Sequence, residues 1–140
     1  MRVLALDYGS ARCGCALSDP TGTIATPLAP VLRPATRRGM GALVALVARL
    51  EAERVVVGLP LSLHGGDSAQ TRETRAFAQR LAQRLAPAVE VELYDERFTT
   101  RMAQRLGDAR SAEDSLAAAY LLEGWLAAHG QPPEDDGSDV

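Results

Sequence analysis

The apolar positions of this chain change period along its length, and the changes mark out its elements. Arg2–Asp7 (RVLALD) is apolar on both faces, the pattern of a strand central in a sheet. Cys13–Ser18 is a second strand, and Thr23–Val31 a looser third broken by Pro27 and Pro30. Asp19-Pro-Thr-Gly22 between them is a tight turn, which predicts an antiparallel hairpin. Proline cannot donate to a ladder, so the third strand belongs at an edge. Helical spacing then takes over in Arg38–Glu53, with Leu43, Leu46, Val47 and Leu50 on one face. Arg54–Leu59 (RVVVGL), β-branched and followed by Pro60, reads as a buried parallel strand. Asp67 or Ser68 caps a helix that runs to Leu85 with Phe77, Leu81 and Leu85 inward. Val89–Asp95 alternates, placing Val89, Val91 and Leu93 on one face and Glu90, Glu92 and Tyr94 on the other. Thr99 caps a short helix to Leu106. Ser111 caps another to about Ala128, whose inward stripe runs Asp114, Ala117 or Ala118, Leu121, Trp125 and Ala128.

The order βββαβαβαα predicts an α/β domain. Its sheet is mixed and five-stranded, antiparallel through the first three strands and parallel in the last two, with helices on its faces. There is no internal repeat and no second domain within residues 1–129. Residues 130–140 (GQPPEDDGSDV) hold proline, glycine and acid with almost nothing to bury, and read as a disordered acidic tail. No apolar run approaches the roughly 18 residues that span a bilayer, and the start lacks a signal-peptide pattern. The expected setting is cytoplasmic, with no membrane partner.

Charge and cysteine usage add little. The net charge is −3, and all 15 basic residues are arginine. The tail holds four of the 18 acids, so the body is close to neutral and tolerates a polyanion without advertising one. Cys13 and Cys15 fall on one face of a strand, where small core residues are the expectation rather than a disulfide or a metal site.

Candidate chemistry lies in the acids. Asp7 ends a central strand, where an unpartnered carboxylate is costly. Asp95 and Glu96 end the last strand in YDERFTT, and Asp114 opens the final helix on its apolar side. Each has a plain alternative: a turn-former before Gly9, a solvated cluster, a helix cap. Together they are three acidic positions at one edge of the sheet, beyond the carboxyl ends of parallel strands where ligands bind. Such acids repel one another unless a cation lies between them, and hard oxygen donors suit Mg²⁺ or Mn²⁺. A site of this kind activates water and neutralises a phosphodiester under in-line attack. Ser18 and Ser62 lack a histidine partner for a nucleophilic triad.

Four ordered stretches, DYGSARCGCALSD, VVVGLPL (Val55–Leu61), YDERFTT and DSLAAAYLLEGWL (Asp114–Leu126), resemble the YqgF family, also called RuvX, across nearly the whole chain. Its members are described as pre-16S rRNA nucleases or Holliday junction resolvases. The resemblance implies an RNase H-like fold and metal-dependent phosphodiester hydrolysis in rRNA maturation, with DNA-junction resolution as the alternative. It also implies Asp7, Glu96 and Asp114 as catalytic metal ligands. Asp95 stays possible, although alternation puts it with the buried row and Glu96 on the other side. Gly9 and Gly14 match glycines whose missing side chains let backbone approach a phosphate or metal. Family members commonly have a basic residue at Ala11 and a basic loop before the final acid. Here Arg12 is kept, but the loop reads GDARSAED, which predicts weaker and less salt-sensitive binding.

Nucleic-acid contacts are expected from Gly9, Arg12, Arg72, Arg97 and Arg101, with Arg75, Arg105 and Arg110 as further candidates. SLHGGDS (Ser62–Ser68) could close over substrate, with His64 exposed within it. Trp125 reads as core and His129 as a charge partner at a helix end. Aromatics make up 4% of the chain, too few for sequence-specific recognition of single strands by stacking. Two rivals remain. One is an actin-like ATPase, which also uses an Asp-x-Gly phosphate loop but needs a second domain. The other is a module that binds RNA or docks a partner and cuts little. Substrate type and the choice of monomer or homodimer are left open.

Overall fold

The computed structural model describes residues 1–60, 68–95 and 113–129, with side chains from Ser115 onward in the last segment. The expected helix near Thr99–Leu106, the loop carrying His64 and the tail 130–140 lie outside the described residues. Five strands, β1 (Val3–Asp7), β2 (Arg12–Ser18), β3 (Ala25–Leu32), β4 (Arg54–Leu59) and β5 (Glu90–Asp95), form one sheet in the order β3-β2-β1-β4-β5. β1–β2 and β2–β3 pair antiparallel, while β1–β4 and β4–β5 pair parallel, as the sequence predicts. Among the described residues three helices accompany them: α1 (Arg37–Leu50), α2 (Ala69–Leu85) and α3 (Glu113–His129).

Strand alternation sorts the core into two layers. Leu4, Leu6, Tyr8, Cys13, Cys15, Val55 and Val57 lie on one face under Met40, Leu43 and Val47 of α1 and Phe77, Leu81 and Leu85 of α2. Val3, Ala5, Ala16 and Val56 lie on the other under Ala118, Leu121, Leu122, Trp125 and Leu126 of α3. β1 and β4 are apolar on both faces because helices cover both. The two cysteines are free, buried and part of the first layer. At the β2–β3 hairpin, Gly22 takes φ 76° and donates to the Asp19 carbonyl. Asp19's carboxylate accepts from the Thr21 hydroxyl and the Thr23 and Ile24 amides, which holds its pKa down at about 2.

Three expectations need correction. The first helix stops at Leu50 rather than Glu53, because Glu51 turns left-handed (φ 56°) and its N–H caps the Ala48 and Val47 carbonyls. α3 buries Ser115, Ala118, Ala119, Leu121, Leu122, Trp125 and Leu126, while Ala117 is half-buried and Ala128 exposed. The helix is apolar nearly all round, so the sequence leaves its register loose. β5 is an edge strand and starts at Glu90; its two faces are half-buried, with Leu93 37% exposed while Tyr94 packs toward α3.

Candidate active-site edge

Asp7 closes β1 opposite Gly14. One step beyond the Leu6–Val57 pair it comes level with Gly58, which is itself paired with Tyr94. The row across the sheet is therefore Gly14, Asp7, Gly58, Tyr94. By alternation from Val3 and Ala5 it faces the α3 side. The Asp7 carboxylate is half-buried, and each neighbouring strand places a glycine beside it on that face.

The start of α3 is tied to the same place. Ser115, 5% exposed, donates from its hydroxyl to the Leu28 carbonyl and accepts from the Cys15 amide at 3.5 Å. Cys15 follows Gly14, the partner of Asp7, and Ser115 follows Asp114. Replacing Ser115 with Ala strips a buried amide and a part-buried carbonyl of a partner. A loss of about 1–3 kcal/mol in denaturant-unfolding free energy is the expected result.

On the other face of the sheet, Tyr8 stacks on Phe77 with ring centroids 4.5 Å apart. Its hydroxyl donates to the Glu73 carboxylate at 2.6 Å. Burial, reinforced by that anionic acceptor, pushes the Tyr8 pKa up to about 12. The residue after Asp7 is thus fastened to α2, and the end of β1 cannot fray. No periodic signal announces Tyr8, Glu73 or Ser115; only the α2 and α3 pairings reveal them.

Of the expected site residues, Asp95 lies in the row of Val91 and Leu93 and pairs with Leu59, on the face opposite Asp7. Glu96, Arg97, Arg101, Arg105, Arg110 and the Asp114 side chain lie outside the described residues. Asp114 itself falls in the first turn of α3. Among the described residues, no three His, Cys, Asp or Glu side chains group as a metal site. Arg12 opens β2 two residues before Gly14 and is exposed, and Arg72 is exposed in the first turn of α2. Gly9 has a structural reason of its own: a Cβ there would lie 2.8 Å from the Arg12 carbonyl oxygen.

A cavity of about 430 Å³ lies at the other end of the sheet, lined by Val3, Arg54, Glu92, Trp125, Leu126 and His129 among others. Its charged groups are engaged with one another. Glu92 accepts from Arg54 at 3.1 Å and from the Trp125 indole at 3.2 Å, with His129 3.8 Å away. His129 also stacks on Trp125 and bonds its carbonyl, so His129 sits at the C-terminal end of α3 while Trp125 is part of the core, as the sequence suggests. Among the described residues, no helix is long and apolar enough to cross a membrane.

Solved structures with this topology include Thermus thermophilus RuvC, 16% identical with a TM-score of 0.55 over 91% of this chain and 95% of that one. Fowlpox virus resolvase in complex with Holliday junction DNA is 12% identical with a TM-score of 0.58, over 91% and 98%. At such identity the likeness establishes the RNase H-like fold. Sequence relatives lie closer. A protein of Myxococcus xanthus (strain DK1622) named "Putative pre-16S rRNA nuclease" is 38% identical over 97% of this chain and 93% of its own length. One of the same name from Thermobifida fusca (strain YX) is 44% identical over 88% and 85%. The family model described as "RuvX: Holliday junction resolvase" matches residues 1–128, and the chain belongs to that family.

Proposed function

We propose that this chain is a divalent-metal-dependent nuclease that hydrolyses a phosphodiester bond near the 5′ end of precursor 16S rRNA, in the cytoplasm. The observation that carries the reading is Asp7: a carboxylate at the end of the central strand, set between Gly14 and Gly58 and facing the anchored start of α3. The names of the relatives supply the substrate class.

The donor set fits Mg²⁺ or Mn²⁺, which prefer hard oxygen ligands and keep several waters. Asp7 would offer its carboxylate between two glycines, Gly14 and Gly58. Asp114 belongs to the helix turn fastened there by Ser115. Alternation from Tyr94 makes Glu96, rather than Asp95, the acid expected on Asp7's face. Such an ion would lower the pKa of a bound water and neutralise charge on the phosphodiester. Asp7, Glu96 and Asp114 hold and orient that centre, and the Tyr8–Glu73 bond keeps the Asp7 backbone in place. Arg12, Arg97, Arg101 and Arg72 hold phosphates on either side of the scissile bond. Gly9 keeps the turn between β1 and β2 tight beside them.

The family description favours a second reading, resolution of four-way DNA junctions. Symmetric cutting of a junction calls for a two-fold dimer, whereas trimming an rRNA leader proceeds with a monomer. Purified protein offered a pre-16S leader and a four-way junction is expected to cut the leader with Mn²⁺ or Mg²⁺ and neither substrate in EDTA. Cutting of the junction alone would select the second reading. Binding without cutting in either metal would leave an RNA-binding module.

A further inference from the structure

Charge on this molecule is segregated by layer, which the net value of −3 conceals. α1 and α2 lie side by side on one face of the sheet. Residues 33–51 and 68–89, which build that layer, hold eight of the 15 arginines (33, 37, 38, 49, 72, 75, 80 and 84) and only two of the 18 acids, Glu51 and Glu73. Glu73 accepts a hydrogen bond from Tyr8. All eight arginines are exposed. Among the described residues, Arg33, Arg37, Arg38 and Arg72 form no salt bridge.

Most of this charge sits at the Asp7 edge. β3 ends at Leu32, paired with Arg12 at the start of β2, so Arg33, Arg37 and Arg38 follow at that edge. α2 begins there too, since the Thr71 hydroxyl donates to the carbonyl of Pro60, just past the end of β4. Arg72 and Arg75 are in its first two turns. Arg80 reaches from mid-α2 to the Ala35 carbonyl at 3.0 Å, which ties α2 to the turn that leads into α1. Neither helix has an acid in its first turn.

We propose that this arginine face, led by Arg37 and Arg38 and continued by Arg33, Arg72 and Arg80, binds the phosphate backbone of a helical nucleic-acid segment flanking the scissile strand. The inference deepens the nuclease reading and rests on it for the identity of the polyanion. Backbone contact is the mode that fits, because Tyr8 and Phe77, the aromatics of this layer, are buried and offer no platform for unstacked bases. The helical surface likewise presents no exposed aromatic or leucine to enter a lipid interface. Each arginine that neutralises a duplex phosphate releases a counterion, so salt dependence reports the contacts.

The test measures affinity for a labelled RNA hairpin and for an unstructured single strand across a salt series, in EDTA, with the full chain. Arg37→Gln/Arg38→Gln is compared with wild type, with Arg37→Lys/Arg38→Lys and with Arg49→Gln, which lies in the last turn of α1. In the Gln pair, hairpin affinity is expected to fall by about tenfold, and the slope of log K against log salt to shrink by about 2. The Lys pair should keep the wild-type slope, Arg49→Gln should match wild type, and the single strand should be affected less. Matching thermal midpoints would show that all variants fold. Wild-type affinity and slope in the Gln pair would overturn the proposal. The nuclease reading stands or falls separately, on metal-dependent cutting by wild type.

Discussion

Asp7→Asn is expected to lower metal-dependent cleavage by at least about a hundredfold while leaving the fold intact. The amide has nearly the shape of the carboxylate, so the substitution removes the charge with little change in volume. A second readout separates metal binding from catalysis. A cation that binds only the native state raises the thermal midpoint, so Mn²⁺ should stabilise wild type and not the variant. Undiminished Mn²⁺-dependent cutting by Asp7→Asn would remove Asp7 from the chemistry.

Gly39→Ala should be strongly destabilising. A Cβ at position 39 would lie 1.9 Å from the Arg33 carbonyl oxygen and 2.8 Å from the Pro34 Cα. That carbonyl already accepts from the Thr36 amide and hydroxyl, while the Thr36 hydroxyl caps α1 by accepting from the Gly39 amide. Relief therefore means moving the start of α1 away from Met40 and Leu43, which are buried beneath it. The expected cost is about 3 kcal/mol, a fall of roughly 10 °C in Tm, read by thermal or urea unfolding. A variant that melts with wild type would show that the turn into α1 is looser than this packing implies.

What can be seen in the sequence follows from how many constraints each segment carries. β1 and β4 are legible because a strand covered on both faces must be apolar throughout. The β2–β3 hairpin is legible because Asp19 and Gly22 suit one kind of turn. α2 declares itself through the Ser68 cap and the Phe77, Leu81, Leu85 stripe. The end of α1 is hidden because its left-handed cap is a glutamate rather than a glycine. The register of α3 is hidden because apolar residues surround it.

For the site, Asp7 stands out as an acid ending a buried strand. Its flanking by Gly58 depends on strand pairing that no local pattern records. The arginine layer is invisible for a related reason: α1 and α2 are separated by β4 in the chain, and their charges add only once both are laid on one face. Asp95 shows alternation at its most useful, since the period of two alone separates it from Asp7's side.

Trp125 is the single tryptophan of the chain, and its indole is 7% exposed against His129 and Glu92 at the end of the sheet remote from Asp7. The molecule therefore carries its own fluorophore, placed where substrate at the Asp7 edge does not touch it. Its emission follows the docking of α3 on the sheet, so intrinsic fluorescence can monitor global unfolding during ligand titrations with little interference from the ligand itself.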